Sequence, residues 1–236
     1  MQKLKSIILC TFNEVNFISE TILEIKKNLS NCEIIIVDDN STDGTIDKIN
    51  NLNLLPPDRL IIRKSEKGLT TAIIHGVKQS KGDYIGWIDT NMSYLLKDFN
   101  LMENLLDNNK CDIVILSRYV KDGRDERKLL RSLASKYLNL FCKLILNSKI
   151  NDFTSGIFLM KKEILNEVPF VGDGHGDFFI EFLYKIEKKK YRIYELPYTQ
   201  YEDKEIANSK TASNIFQFIY LGFVYILKIL NTKFKN

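Results

Sequence analysis

Short apolar runs alternate with segments of helical periodicity along about half of the chain, and this alternation limits the fold more than any other feature. We predict strands in the apolar runs SIILCTF (6–12), EIIIVDD (33–39), PPDRLIIRKS (56–65), DYIGWID (83–89) and CDIVILSRY (111–119). Between them, apolar residues recur at helical spacing. Strand–helix alternation predicts an α/β fold with a mostly parallel sheet flanked by helices. Runs that are apolar throughout are typical of strands buried on both faces.

Local signals indicate where the helices begin and end. Ser41 or Thr42 is expected to cap a helix in STDGTIDKINNL (41–52), because short polar side chains accept hydrogen bonds from the first helical amides. Gly82 is expected to close a helix in GLTTAIIHGVKQSKG (68–82).

A longer helix is predicted in RDERKLLRSLASKYLNLFCKLILN (124–147). Its apolar face comprises Leu129, Leu130, Leu133, Tyr137, Leu140, Phe141, Leu144 and Ile145. Arg131, Ser135 and Asn139 are spaced by four and share another stripe of the same helix. On spacing alone, that stripe fits an ordinary surface face as well as a binding face.

Polar residues follow four of the predicted strands. They are Thr11 to Glu14, Asp38 and Asp39, Asp89 to Asn91, and Ser117 to Tyr119. Ligands of such sheets bind outside the carboxyl ends of the strands. The sequence therefore predicts one binding crevice at this edge of the sheet.

Composition excludes several classes of protein. A net charge of +4, from 34 basic and 30 acidic residues, is too small to indicate nucleic-acid binding. The four cysteines, Cys10, Cys32, Cys111 and Cys142, lie far apart without metal-binding spacing, which disfavours a zinc site and fits a reducing, cytoplasmic setting. The apolar run near the start is too short for a signal peptide.

Two adjacent acids, Asp38 and Asp39, end the second strand. Aspartates at such places shape turns, which is one interpretation of Asp39. Asp38 continues the apolar strand, where a half-buried carboxylate needs a donor that a nucleotide can supply. A phosphoacceptor pocket of the receiver type is disfavoured, because this strand is not the first and no lysine precedes a proline.

The ordered motifs resemble a glycosyltransferase family. The segments SIILCTFNE, EIIIVDDNSTDGT, KGLTTAIIHGVKQSKGDYIGWIDTN and DIVILSRYVKDG are similar, in order and spacing, to family 2 glycosyltransferases of the GT-A fold. RSLASKYLN, INDFTSGIFLMKKEIL, FFIEFLYK and ELPYTQYEDKEIANSK resemble the dolichyl-phosphate mannose synthase branch, which includes enzymes that glycosylate undecaprenyl phosphate. The resemblance covers nearly the whole chain and implies an inverting transfer from a nucleotide-diphosphate sugar to a polyprenyl phosphate.

The resemblance assigns residues to the donor and to a metal. The nucleotide-sugar residues that it implies are Thr11, Phe12, Glu14, Asp38, Lys67, Asp89 and Lys210. Cys10 replaces the usual proline of the first motif. The family's Asp-x-Asp metal motif, which holds Mg²⁺ or Mn²⁺ against the diphosphate, stands here as Asp89-Thr90-Asn91, so one negative charge is missing. Ser93 stands where some relatives carry a third ligand.

On the acceptor side, the resemblance assigns the lipid phosphate to Arg118, Arg131 and Ser135. It implies catalytic roles for Asp89, Arg118, Arg131 and Asp152, with Asp152 and the turn 154–156 forming a wall. An anionic phosphate acceptor needs positioning by cations more than it needs a general base. The family's late Arg-x-Gly-x-Ser-Lys loop appears as EIANSK (205–210), which keeps Ser209 and Lys210 but lacks the arginine and the glycine.

The C-terminal segment is apolar nearly all round. We expect a glycosyltransferase domain at 1–212 and an apolar helix with a basic tail at 213–236. The apolar stretch spans about 24 Å as a helix, which is short of a bilayer core of about 30 Å. It is expected to lie in the membrane interface on the cytoplasmic face, beside the apolar face of 129–146. Packing on the domain or on a second subunit is the alternative, and the oligomeric state stays open.

Two other functions stay open at this point. One is transfer to a glycan hydroxyl in surface polysaccharide assembly, which needs a catalytic base such as Asp152 or Asp177. The other is a degenerate protein that binds a sugar nucleotide without turnover, which Asn91, Ser93 and Glu205 favour. Neither the sugar nor the nucleotide base is fixed by any motif.

Overall fold

The computed structural model describes residues 3–172, 178–202 and 215–235. Its main sheet has seven strands: β1 (Lys5–Thr11), β2 (Cys32–Asp38), β3 (Arg59–Ile62), β4 (Tyr84–Trp87), β5 (Ile113–Ser117), β7 (Phe158–Lys161) and β8 (Ile193–Pro197). Two short strands, β6 (Arg124–Asp125) and β9 (Thr199–Gln200), pair with each other. The α-helices are α1 (Ile18–Asn28), α2 (Thr45–Asn51), α3 (Leu69–Gln79), α4 (Leu96–Asp107), α5 (Leu129–Leu146), α6 (Phe178–Lys188) and α7 (Ile215–Lys235).

The strand order of the main sheet is β3-β2-β1-β4-β7-β5-β8. The first four strands in this order are parallel, as are β5 and β8. Strand β7 runs antiparallel to both β4 and β5, between which it lies. The predicted α/β fold with a mostly parallel sheet is therefore confirmed. The reversed strand was not predicted, because the apolar letters FLMK carry no sign of direction.

Both faces of the sheet are buried, as the uninterrupted apolar runs predict. Along β1, Ile7 and Leu9 face a core shared with α1 and α4, whereas Ile8 faces a core shared with α5 and α6. Cys111 and Cys142 are buried in these two cores as small apolar side chains. The strands are thus held between two helical layers, which fixes the positions of the loops at their ends.

Two predicted helix ends are wrong. Helix α2 begins at Thr45, after Gly44 in a left-handed conformation, because Ser41 binds Asp38 instead of capping the helix. Helix α3 ends at Gln79, three residues before Gly82. A Cβ atom at Gly82 would lie 2.6 Å from Ser6 Oγ, so the glycine allows close passage beside β1.

The long helix α5 starts later than predicted, because 124–125 form β6. Its inner side packs through Cys142, Leu146 and their neighbours into the core, and it contacts α7. Its outer side leaves six apolar residues exposed: Leu129, Leu130, Leu133, Tyr137, Leu140 and Leu144. Helix α7 buries Ile229 and exposes Ile226, Leu227 and Phe234. Among the residues that the structure describes, no helix has both the length and the apolarity needed to cross a bilayer.

Candidate active site

The four polar strand ends meet at one edge of the sheet. Strands β1, β2 and β4 are parallel, and β5 has the same direction because β7 is antiparallel to both β4 and β5. The segments after Thr11, Asp38, Trp87 and Ser117 therefore open on the same side of the molecule. The topology therefore brings the polar strand ends to one edge, as predicted, and a binding crevice there stays a prediction.

Asp38 forms the floor of the turn after β2. Its carboxylate is fully buried and accepts hydrogen bonds from Thr11 Oγ1 (2.6 Å), Ser41 N (2.7 Å) and Ser41 Oγ (2.7 Å). The expectation of a half-buried carboxylate without a protein donor is therefore wrong. Asp38 joins the ends of β1 and β2, and its predicted contact with a nucleotide would require these bonds to rearrange.

Asp39 has a larger role than shaping a turn. Its carboxylate pairs with Arg63 and accepts a hydrogen bond from Gly68 N at 2.8 Å. Arg63 also donates to Thr71 Oγ1 (2.9 Å) and to the Gly68 carbonyl (3.0 Å), so it joins β2 to the start of α3. Sequence reasoning missed Arg63. This arginine directly follows β3, the strand that pairs with β2, and so it lies beside Asp39.

This arrangement brings Lys67 to the end of β1. The Lys67 ammonium lies 4.7 Å from the centroid of the Phe12 ring, which is 38% exposed. A cation over an exposed aromatic ring forms a surface that suits a base or a phosphate. Glu14 is half-buried nearby, and its amide donates to Thr45 Oγ1 (2.8 Å). Phe12 and Lys67 thus lie together, and their role in donor binding, like that of Glu14, stays a prediction.

The metal motif follows β4. Asp89 is half-buried and Asn91 is exposed, while Thr90 between them is buried and accepts a hydrogen bond from Thr21. Ser93 donates to a carboxylate oxygen of Glu20 at 3.3 Å, so α1 places an acid beside the motif that sequence reasoning missed. Cys10 lies near Asp89, and burial, reinforced by that negative charge, raises the pKa of its thiol.

The donor set fits a hard divalent cation incompletely. Within residues 3–172, 178–202 and 215–235, no group of three or more His, Cys, Asp or Glu side chains could hold a metal ion. Asp89 and Asn91 offer one carboxylate and one amide, both of which are oxygen donors that Mg²⁺ and Mn²⁺ accept. The remaining ligands would have to come from phosphates and water.

Arg118 is buried in an internal ion pair. Its guanidinium donates to both oxygens of Asp152 at 2.8 Å and to Thr154 Oγ1 at 2.7 Å, while its backbone amide donates to Asp152 at 3.0 Å. The side chains of Arg118 and Asp152 are 2% and 0% exposed. Arg118 therefore positions the loop at 152–154, and the phosphate contact expected of it stays a prediction.

Asp152 is likewise no exposed base. Burial raises the pKa of Asp152, but the charge of Arg118 and its hydrogen bonds outweigh that effect and hold the pKa below its ordinary value. A carboxylate that is ionised, buried and bound at both oxygens has no position from which to take a proton from an acceptor. Asp152 thus has a structural role in holding Arg118, and a catalytic role for it stays a prediction.

A second acid extends this network towards β6. Asp125 accepts hydrogen bonds from Arg127 (2.6 and 2.8 Å) and from the Tyr119 hydroxyl (3.1 Å), and it lies 3.7 Å from Arg118. Burial raises the pKa of Asp125, and the hydrogen bonds and charge of Arg127, with the charge of Arg118, lower it overall. The two acids and two arginines form a neutral, buried support beneath the acceptor side.

The predicted stripe of α5 faces this support. Ser135 Oγ lies 3.5 Å from Thr154 Oγ1, and Asn139 donates to the same Thr154 oxygen at 2.8 Å. The side-chain oxygen Oδ1 of Asn139 accepts a hydrogen bond from Phe153 N at 2.6 Å. Gly156 has a φ of +77°, and a Cβ atom there would lie 2.6 Å from the Trp87 ring. The stripe is therefore a packed interface and not an ordinary surface face.

Arg131 lies one turn before Ser135 on α5. Its guanidinium is 26% exposed and lies 3.9 Å from a carboxylate oxygen of Glu202, which follows β9. Tyr201 beside it packs edge to face on Tyr94, with ring centroids 5.5 Å apart. The residues that follow β9 thus contact both α5 and the segment after Asp89-Thr90-Asn91. Sequence reasoning missed Glu202, since only the β6–β9 pairing brings it to α5.

Some predicted features lie elsewhere. Lys210 and Asp177 are outside the described residues.

A cavity of about 590 Å³ lies at the opposite, amino edge of the sheet. It is lined by Lys3, Lys81, Gly82, Asp83, Tyr84, Asn109, Lys161, Lys162, Glu163 and Asn166. It contains none of the strand-end motifs, and ligands of parallel sheets bind at the carboxyl edge. We therefore place the active site at the carboxyl edge, despite the volume of this cavity.

The fold and the site together define a GT-A-like glycosyltransferase architecture. The structure of glucosyl-3-phosphoglycerate synthase from Mycobacterium tuberculosis, in complex with Mn²⁺, UDP and glucosyl-3-phosphoglycerate, superposes with a TM-score of 0.73. The match covers 98% of this chain and 80% of that one at 15% identity, so it establishes the shared fold.

The sequence assigns the family more closely. Residues 6–169 match the Glycosyl transferase family 2 model, and the chain belongs to this family. The dolichol-phosphate mannosyltransferase of Pyrococcus furiosus is 33% identical over 199 residues, covering 82% of this chain and 55% of the relative. The polyprenol monophosphomannose synthase of Mycolicibacterium smegmatis is 27% identical over 218 residues, covering 89% and 82%. The chain spans about half the length of the first of these relatives.

Proposed function

We propose that this protein transfers a sugar from a nucleotide-diphosphate sugar to a polyprenyl phosphate, with inversion at the anomeric carbon. The observation that carries the proposal is the placement of α5. One face of this helix carries Arg131 and Ser135, which lie beside Glu202 and Thr154, while another exposes a series of apolar side chains. A substrate with a phosphate head and a hydrocarbon tail matches both faces. The names of the two relatives support the same acceptor class.

The donor would bind at the ends of β1, β2 and β4. Phe12 and Lys67 offer an aromatic face and a cation to the nucleotide, and Glu14 follows on the same loop after β1. Asp89 and Asn91 would hold the divalent cation, which when bound neutralises charge on the departing diphosphate. Because the acceptor phosphate is itself an anion, the protein needs to align it with the anomeric carbon and needs no strong base.

The cation site is the weakest part of the donor side, and a single substitution tests it. Restoring the second carboxylate with Asn91→Asp is expected to tighten Mn²⁺ binding by about tenfold, since ligand charge governs affinity for hard cations. Calorimetric titration of Mn²⁺ in the presence of a nucleoside diphosphate measures this directly. Unchanged affinity would show that residue 91 does not contact the ion.

The decisive assay is a screen of uridine and guanosine diphosphate sugars against membrane lipid extract, with free saccharides as competing acceptors. Sugar recovered on a polyprenyl phosphate in the lipid fraction supports the proposal, and sugar on a saccharide contradicts it.

Asp89→Ala is expected to abolish transfer while the thermal midpoint stays within a few degrees. Full activity of this variant would remove Asp89 from the site.

A second candidate is a protein that binds a sugar nucleotide without turnover, which the lone acid of Asp89-Thr90-Asn91 favours. Calorimetric nucleotide binding with and without Mn²⁺, followed by a donor hydrolysis assay, separates the two. Saturable binding with neither hydrolysis nor transfer would select this candidate.

We further propose that the protein binds the inner face of the cytoplasmic membrane peripherally. Helices α5 and α7 contact each other and each exposes apolar residues, and Lys233 lies next to the exposed Phe234 of α7. Apolar surface together with cations favours the interface of an anionic bilayer. Co-sedimentation with phosphatidylglycerol vesicles tests this, and Leu140→Glu with Leu144→Glu is expected to release the protein.

A further inference from the structure

The start of helix α5 lacks an acidic partner of its own. Lys128 precedes the helix, Arg131 lies in its first turn, and within the described chain no acid of that turn and no side-chain cap satisfies the helix start. The first amide groups of a helix have no intrahelical acceptor and carry partial positive charge. Together with Arg131, they make this position favourable for an anion.

Glu202 supplies that anion from a distant part of the chain. One of its carboxylate oxygens accepts a hydrogen bond from Lys128 N at 2.6 Å, and the other lies 3.9 Å from Arg131 Nη1. The carboxylate reaches this position because β9 pairs with β6, which directly precedes α5. The pairing is continued by a hydrogen bond from Glu126 N to the Gln200 carbonyl at 2.8 Å.

We infer that Glu202 is an internal counter-anion of Arg131 whose place at the start of α5 is taken by the acceptor phosphate. The inference rests on the proposed function, because it assigns the acceptor phosphate to Arg131. Glu202 is then a positioning residue: it holds the start of α5 and the arginine in place before the acceptor arrives. It also sets the affinity for the acceptor, since the phosphate must displace it.

The geometry makes Glu202 displaceable. A separation of 3.9 Å is longer than a hydrogen-bonded ion pair, and the side chains of Arg131 and Glu202 are 26% and 24% exposed. Half-exposed pairs are screened by water and contribute little to stability. A phosphate monoester carries about −1.5 to −2 charges at neutral pH and three acceptor oxygens, so it competes well with one carboxylate.

The local charges agree with this competition. Arg118, Arg127, Lys128 and Arg131 lie around the start of α5, against Asp125, Asp152 and Glu202. The first two arginines are already neutralised by the two aspartates. When Glu202 leaves, the Lys128 backbone amide and the Arg131 guanidinium can donate to the incoming anion.

The test compares Glu202→Gln with Glu126→Gln, using a short-chain prenyl phosphate in detergent and the best donor from the screen above. Glutamine keeps an oxygen that can accept from Lys128 N but removes the charge. Glu202→Gln is expected to lower the KM and the Kd for the prenyl phosphate by about three- to tenfold and to leave the KM for the donor unchanged. Glu126 is an exposed acid close by, and Glu126→Gln is expected to change either constant less than twofold.

The outcomes separate the inference from the function on which it rests. If the wild type uses the prenyl phosphate and Glu202→Gln leaves its KM unchanged or raises it, the displaced counter-anion is wrong. The same conclusion follows if Glu202→Gln lowers only the thermal midpoint, since that is the sign of a helix cap alone. If the wild type neither binds nor glycosylates a prenyl phosphate but does use a saccharide, the proposed function fails first and the inference with it.

Discussion

Arg118 and Arg131 both lie near the start of α5, and the family resemblance assigns both to one phosphate. Their surroundings differ sharply. Arg118 is buried, binds Asp152 through two parallel hydrogen bonds and reaches Thr154. Arg131 is partly exposed, and its carboxylate partner Glu202 lies 3.9 Å away.

The difference follows from where each charge is neutralised. A buried guanidinium is stable only when carboxylates replace its lost hydration, so Arg118 is bound permanently to Asp152. A partly exposed guanidinium keeps water and can exchange one anion for another. Arg118 therefore holds the loop at 152–154, and we propose that Arg131 is the arginine that meets the ligand.

The largest effect is expected from Arg118→Ala. Removing this cation leaves Asp152 buried without its partner, which is expected to lower the free energy of unfolding by about 3–5 kcal/mol. Denaturant unfolding followed by circular dichroism measures the change. The double variant with Asp152→Ala is expected to lose less than the sum of the two single variants, because both break one interaction. Stability equal to the wild type would contradict the buried pair.

Arg131→Ala is expected to affect activity and not folding. Loss of the cation should reduce transfer to polyprenyl phosphate by at least about 100-fold, since positioned charges dominate the stabilisation of such transition states. The free energy of unfolding should change by less than about 1 kcal/mol, as for other exposed pairs. Lys136→Ala, at an exposed position of the same helix, is the matched control and should keep its activity. Full activity of Arg131→Ala would overturn the division between the two arginines.

Acid should weaken the buried ion pairs around Arg118. The pKa values of Asp125 and Asp152 lie below their ordinary values, because Arg127 and Arg118 outweigh the effect of burial. Carboxylates with lowered pKa values stabilise the fold above their unfolded pKa of about 3.9, and this contribution is lost as the pH falls through the folded pKa values. Unfolding at about pH 5 and about pH 3 should show this decline. Arg118→Ala should abolish the part that Asp152 contributes, and an identical decline in that variant would contradict the assignment.

The smallest effect is expected from Ser135→Ala. Ser135 lies one turn after Arg131 on α5 and next to Thr154, which binds Arg118. Ser135 Oγ lies 3.5 Å from Thr154, and Thr154 keeps its bonds to Arg118 and Asn139 in the variant. Stability should change by less than about 0.5 kcal/mol. A KM for polyprenyl phosphate that rises severalfold would place Ser135 at the ligand, whereas an unchanged KM would make it part of the wall.

The main features of the fold could be predicted from apolar patterning, since uninterrupted strands and helical spacing reflect burial directly. Strand β7 could not, because its place between β4 and β5 depends on pairing that FLMK does not encode. The same holds for β6 and β9, which are two residues long.

For the site, the sequence predicts which residues lie at the same edge of the sheet, but not which protein groups their side chains bind. Asp38 finds donors in Thr11 and Ser41, and Arg118 finds Asp152 34 residues away. These partners lie on other loops, so the burial of each charge depends on tertiary packing. Glu202 is hidden from sequence reasoning for the same reason, because β9 alone brings it to α5.

The reversed direction of β7 has a consequence for how this enzyme family can change. Strand β5 ends at the catalytic edge and β7 begins there, with Leu116 N bonded to the Ile157 carbonyl at 3.1 Å. The excursion between them, which includes α5 and most of the acceptor wall, therefore leaves and re-enters the sheet at neighbouring points. Helix α5 also packs in the core that contains Ile8 of β1 and Ile85 of β4, so an exchanged segment must keep matching core residues. With that condition met, we expect a graft of 118–157 from a relative to alter acceptor choice while β1, β2 and β4 keep their places.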